Sequence, residues 1–221
     1  MKRLPLRCLH DVLEMVKGLS LNEILSRIKS YSEELGLDLT KPEDRFKWFL
    51  ASILFAKRIS AEIAKKTFRI FMDENLVSPD KILEAGWDRL VEILDSGGYV
   101  RYDFSTASNL LEIMKKLKEK YGDLEALHEA AENPKDLKKR LMSFKGVGPV
   151  CVNIFLRELR GIWEKAKPAP SRIAVDVAKR IGMNEIEPYE SSLVRVGLEY
   201  CKKRRCPECP VRKYCSLKKT S

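Results

Sequence analysis

The sequence predicts an all-α protein, and three observations carry that prediction. Apolar residues recur at helical spacing through nearly the whole chain. Start signals precede most of these stretches: a capping residue with an acid three positions on, or a proline in the first turn. No stretch alternates apolar and polar residues convincingly as a half-buried strand does, and there is no internal repeat or low-complexity tract. The helices read as short with short connections, which favours a globular array over a long bundle.

Taken in order, "SLNEILSRIKSYSEEL" opens with Ser20 and Glu23 at capping-box spacing. "TKPEDRFKWFLASILFAK" repeats the device with Thr40 and Glu43, with Pro42 in the first turn. In "SAEIAKKTFRIFM", Ile63, Phe68 and Phe71 share one side. "WDRLVEIL" reads as a short helix ended by "DSGGY", and Ser105 as the cap of "TASNLLEIMKKLKEKYG". "LEALHEAA" and "PKDLKKRLMSF" follow. Then comes a tight "KGVG" turn and the helix "PVCVNIFLRELRG", closed by Gly161. After the loop "KAKPAPS" come two more helices, "RIAVDVAKRIGM" and "YESSLVRVGLEYC".

No run of residues is apolar enough for a membrane span. The N-terminal "MKRLPLRCLHDVLEM" reaches an Asp and a Glu too soon for a signal peptide, so the chain is expected in the cell interior, in cytoplasm or nucleoid. The formal net charge is +10, and the last 21 residues hold eight Lys/Arg against one Glu. Clustered positive charge suits a polyanion, most often nucleic acid. Of six cysteines, Cys8 and Cys151 stand alone, while Cys201, Cys206, Cys209 and Cys215 fall within 15 residues. Disulfides are rare inside cells, so the four read as metal ligands. Four thiolates in one loop suit a 4Fe-4S iron–sulfur cluster. Zinc is the alternative, although a four-cysteine zinc site usually pairs two Cys-x-x-Cys knuckles and only one is present.

The turn between "DLKKRLMSF" and "PVCVNIFLREL" has its own chemistry. Gly146 and Gly148 allow backbone angles that other residues avoid and let another group approach. The N–H groups of the turn and of the following first helical turn can face a phosphate, with Lys145 beside it.

Helix, Gly-Val-Gly hairpin and apolar helix, then "IAVDVAKR" with its Val-Asp pair, then a terminal four-cysteine loop: in this order the chain resembles the endonuclease III-like helix-hairpin-helix DNA glycosylases. The resemblance covers about residues 40 to 216. It implies a two-lobed all-α fold. A helical barrel lobe spans 40–162 and carries the hairpin at about 134–161. An iron–sulfur lobe joins 1–39 to 163–221. It further implies that duplex DNA lies across the cleft and is gripped through main-chain N–H groups at Lys145, Gly146, Val147, Gly148 and Val150, with a monovalent cation at the hairpin. Lys202, Lys203, Arg204 and Arg205 would face phosphates from the cluster loop. Asp176 would be the catalytic carboxylate, at the bottom of the cleft. Phe55, Lys57 and Arg58, with Tyr99, Arg101 and Tyr102, would line the base pocket or wedge the gap left by a flipped base. The protein would act as a monomer.

Bifunctional members carry a lysine nucleophile two residues after the second hairpin glycine. Val150 stands there, and valine cannot attack. The expected activity is therefore monofunctional base excision. The alternatives are a lyase using another lysine, or a non-catalytic DNA-binding protein. The chain departs from the family in three further ways. Val177 and Ala178 follow Asp176 where Thr/Ser-His is usual. The gap between hairpin and Asp176 is longer. Only 24 residues separate Asp176 from Cys201.

Overall fold

The computed structural model describes residues 18–217; the N-terminal stretch read above, with Cys8, lies outside them. The described residues are helical and contain no strand. Eleven α-helices are seen among them: α1 (Leu21–Ser26), α2 (Tyr31–Glu34), α3 (Pro42–Phe55), α4 (Ala61–Asp73), α5 (Pro79–Gly97), α6 (Asp103–Lys120), α7 (Leu124–Glu129), α8 (Pro134–Met142), α9 (Pro149–Arg157), α10 (Arg172–Arg180) and α11 (Glu190–Val196). The chain divides into two units, 32–168 and the two ends, 18–31 with 169–217. The sequence reading placed the divisions at 40 and 162.

In the 32–168 unit α3 is the hub. Phe46, Trp48, Phe49, Leu50, Ala51, Ile53 and Leu54 are all buried, so this helix is covered on nearly every side. Its entry is anchored by Arg45. The guanidinium donates to both carboxylate oxygens of Glu125 at 2.7 and 2.9 Å and to the carbonyls of Leu39 and Thr40. Trp163 Nε1 donates to the same carboxylate at 3.1 Å. Around α3, Phe68 and Phe71 of α4, Leu90 and Leu94 of α5, and Leu110, Ile113 and Leu117 of α6 complete an apolar interior. The hairpin is held against this hub. Phe49 meets Phe155 edge-on at 5.1 Å and Phe144 at 6.3 Å, and Trp48 Nε1 donates to Phe155 O.

Several local expectations need correction. The Thr40 hydroxyl donates to Asp38 at 2.6 Å and does not cap α3, whose N-cap is Lys41 without a side-chain bond. The helix expected over 20–35 is broken at 27–30 into α1 and α2. "WDRLVEIL" is the second half of a longer element: α5 runs from Pro79 and is broken at Gly86, whose φ of 71° and ψ of 178° suit glycine alone. α6 begins at Asp103, two residues before Ser105, and the Ser105 hydroxyl donates back to Tyr102 O. α9 ends at Arg157, four residues before Gly161. The Ser20–Glu23 capping box is present with both reciprocal bonds.

The second unit is built on Ile24, Leu25, Ala174, Val177, Ala178, Ile181, Leu193, Val194 and Val196, which close on Cys209 and Val211. Side chains clamp its segments through backbone carbonyls. Ser192 donates to Leu25 O at 2.8 Å, and Lys213 and Tyr214 both donate to Leu19 O. After α11 the helix widens into a π-turn, Gly197–Cys201, marked by Lys202 N–H to Gly197 O at 2.9 Å.

Candidate nucleic-acid interface

The hairpin links α8 to α9 through residues 143–148. Val147 N–H closes on Phe144 O at 3.1 Å, and both side chains are buried, so the turn is pinned from below. Gly146 has φ +79°, and a Cβ there would lie 2.5 Å from Asn109 Nδ2. The left-handed φ favours glycine, and a side chain there would also have to displace the Asn109 amide. Gly148 is the N-cap of α9 and supplies no side-chain bond, with Pro149 next. The first-turn N–H groups of α9 therefore have no capping side chain, and the dipole favours an anion at that end. Val150 is 62 % exposed at this end. Lys145 reaches 3.0 Å to Glu112 across the turn, so a phosphate would share this ammonium with a carboxylate.

Cys151, beside Val150, points into the core, where burial pushes its thiol up to about 12 against the opposing pull of Lys57. It is a packing residue and not a nucleophile.

The structure brings the two expected pocket stretches together. Tyr99 Oη donates to Leu54 O at 2.7 Å, next to Phe55. Tyr99 itself has no exposed surface, and burial drives its hydroxyl far above the usual phenol range. It is a latch between the loop and α3, which corrects its expected place against a base. Phe55 is half-buried and tilted against Trp48 at 6.1 Å. Lys57 is half-buried and Arg58 exposed. Tyr102 meets Tyr99 edge-on at 6.3 Å, and the exposed Arg101 lies 5.8 Å from the Tyr102 ring centre.

The sequence reading missed an aromatic pair in this unit. Trp87 and Phe104 stand 40 % and 60 % exposed with ring centres 5.4 Å apart. The indole N–H is fixed to Ser108 Oγ at 3.0 Å. The signal was Gly86 directly before Trp87: the break in α5 makes the turn at which Trp87 begins the second half of the helix.

In the other unit Asp176 sits in the middle of α10, past its first turn. Its side chain is half exposed and lies 3.9 Å from Arg172 one turn back. Val177 and Ala178, which follow it, are buried and hold the helix to the unit's core. One turn on lies Arg180: burial pushes the Cys201 thiol up while the Arg180 guanidinium pulls it down. The helix carrying Asp176 is thus tied to the cysteine loop.

Cys201, Cys209 and Cys215 lie at the edge of the same core, and Cys206 is exposed. Burial is the main influence on Cys209, pushing it up to about 11, and the other three thiols add to the push. Among the described residues, no three His, Cys, Asp or Glu side chains are grouped as ligands of a single metal ion. One tetrahedral zinc needs its sulfurs within about 4 Å of one another, from a Zn–S distance of about 2.3 Å. A 4Fe-4S cluster spreads its four thiolates over four irons. Four neighbouring cysteines in one loop are the ligand set such a cluster takes, and a four-cysteine zinc site takes the same set. Of the basic residues in this loop, Lys202 and Arg204 are exposed. Lys203 pairs with Glu199 and Arg205 with Glu208.

No helix among the described residues is long and apolar enough to cross a membrane. Models of known protein families and curated proteins alike give no match to this chain.

Proposed function

We propose that the protein is a DNA base-excision glycosylase that hydrolyses the N-glycosidic bond of a damaged or mispaired base in duplex DNA and leaves the strand intact. The hairpin carries the reading: a turn that favours glycine, pinned by Phe144 and Val147, opens onto an uncapped helix start with exposed Val150 in place of an amine. Such a turn accepts a backbone phosphate, and a monovalent cation, through main-chain groups. In this reading the Asp176 carboxylate stabilises the positive charge that develops on the sugar and orients the attacking water. Its exposure and its place on α10, one turn from Arg180 and Cys201, support that role. Cys201, Cys206, Cys209 and Cys215 would hold the 4Fe-4S cluster. When bound, the cluster cross-links the loop and thereby supports α10.

The test is a panel of duplexes with one lesion each, quenched neutrally or with hot alkali, for wild type and Asp176→Asn. Cleavage only after alkali, reduced at least a hundredfold in the variant, is expected. No product on any duplex despite binding would leave a DNA-binding protein without catalysis.

The second reading is a lyase that uses another lysine, for which Lys57, half-buried just after α3, is a candidate. If Lys57 served as a lyase nucleophile, borohydride would trap the protein on DNA and Lys57→Gln would abolish trapping.

A further inference from the structure

The helix that feeds the hairpin, α8, has the sequence "PKDLKKRLM" and presents three distinct stripes. Leu137 and Leu141 are buried and seat it on the unit. Asp136 and Arg140 form a second stripe. They pair at 2.7 Å, and Asp136 also accepts the Glu132 N–H at 3.0 Å. The third stripe is Lys135, Lys138, Lys139 and Met142, at positions i, i+3, i+4 and i+7. With Ser143 these residues line a shallow groove of about 450 Å³.

The charge on this stripe is uncompensated. The single acid of α8 is engaged by Arg140, and none of the three lysines makes an ion pair among the described residues. Several lysines elsewhere in the unit are neutralised locally, Lys47 by Asp44, Lys65 by Glu34 and Glu62, and Lys81 by Glu84, and others are tied to carbonyls, as Lys66 is to Ser96 O and Lys165 to His128 O. The far end of the groove is fixed by Lys116, which donates to Ser143 O at 2.6 Å. The stripe therefore leads without a break into the hairpin.

From this placement we infer that the lysine stripe of α8 is a phosphate track continuous with the hairpin, and that it binds the backbone of duplex DNA. The inference rests on the DNA reading above and extends it to residues outside the hairpin. Lys135 to Lys139 advance about 6 Å along the helix. Over that length one strand of a duplex presents about two phosphates, and the flexible four-carbon stems of the lysines extend their reach to a third. The apolar Met142 and the absence of a second acid on this face leave nothing on it to repel the strand. Contacts of this kind position the protein on DNA and carry no sequence preference.

The test is the salt dependence of binding, read by fluorescence anisotropy on an undamaged duplex. Compared with wild type are Lys135→Gln/Lys138→Gln/Lys139→Gln, the same three positions changed to Arg, and a control, Lys41→Gln/Lys81→Gln/Lys115→Gln. Both glutamine sets lower the net charge from +10 to +7, but each control lysine already faces an acid. Loss of three phosphate contacts should lower the slope of log K against log salt by about 2 to 3. The arginine set should keep the wild-type slope, and the control should stay within 1 of it. Equal change in the groove and control sets would overturn the inference, since net charge alone would then explain it. An unchanged slope in the groove set, with wild type binding, would also overturn it. Wild type that binds no duplex would instead overturn the DNA reading itself.

Discussion

All eight Phe and all three Trp of the chain fall in residues 32–168, and the unit formed by 18–31 and 169–217 has neither. The first unit wraps its aromatics around α3 and reaches the hairpin through Phe49, Phe144 and Phe155. The second has Ala, Val, Leu and Ile in its core, tyrosines at the edge, and side chains clamped onto Leu19 O and Leu25 O. Small units bury too little apolar surface to stand on that alone and usually need a staple. The difference teaches what each unit depends on: one on packing, the other on its cysteine loop.

The largest effect should therefore come from Cys209→Ser. Loss of the proposed cluster should destabilise this unit by several kcal/mol, as removal of a structural metal does. Trypsin should then cut within 202–213 while 32–168 stays intact, with loss of the iron–sulfur absorbance. A wild-type cleavage pattern would show that this unit stands on its own core and would break the comparison.

Next in size is Phe155→Ala, which opens a cavity between the hairpin and α3. The cost should be about 3 to 5 kcal/mol in urea unfolding of the 32–168 unit. DNA binding should weaken along with stability, because the same ring backs the hairpin. Weakened binding at unchanged stability would separate the hairpin from the packing that the comparison assigns to it.

The smallest effect concerns pH. His128 stacks on Trp163 at 4.5 Å, and burial, with Lys165 beside it, holds its imidazole below the ordinary value of 6.5. The folded form thus binds its proton less readily than the unfolded form does. Its contribution to stability is complete above about 6.5 and is lost as pH falls through the lower folded value. The melting temperature should drop on mild acidification in wild type and drop less in His128→Phe, which keeps the stacking.

What was legible in the sequence was mostly local. The Ser20–Glu23 box forms because both partners lie within one turn and nothing competes. The similar Thr40–Glu43 signal fails because Asp38 takes the threonine hydroxyl. The glycine hairpin was readable because φ +79° at Gly146 leaves few alternatives to glycine. The side of the chain on which a residue ends was less readable. Tyr99 follows two glycines in a polar stretch, yet the carbonyl that draws its hydroxyl inward, Leu54 O, is 45 residues away. The Asp136–Arg140 pair follows from opposite charges at i, i+4, but spacing could not show whether acids on other elements also reach Lys135, Lys138 and Lys139. The lysine stripe became visible only once the pairs were known.

The wide turn at Gly197–Cys201 has a consequence for chain length. A π-turn is an α-helix that has absorbed one extra residue while its two ends keep their places. Removing one residue from this turn should therefore restore the ordinary helical ladder and leave Cys201 where it is. Removing one from α11 should instead swing every later position by about 100° and carry Cys201 away from Arg180. Between the start of α11 and Cys201 the chain thus has a point at which it can shorten by a single residue and still deliver its cysteine.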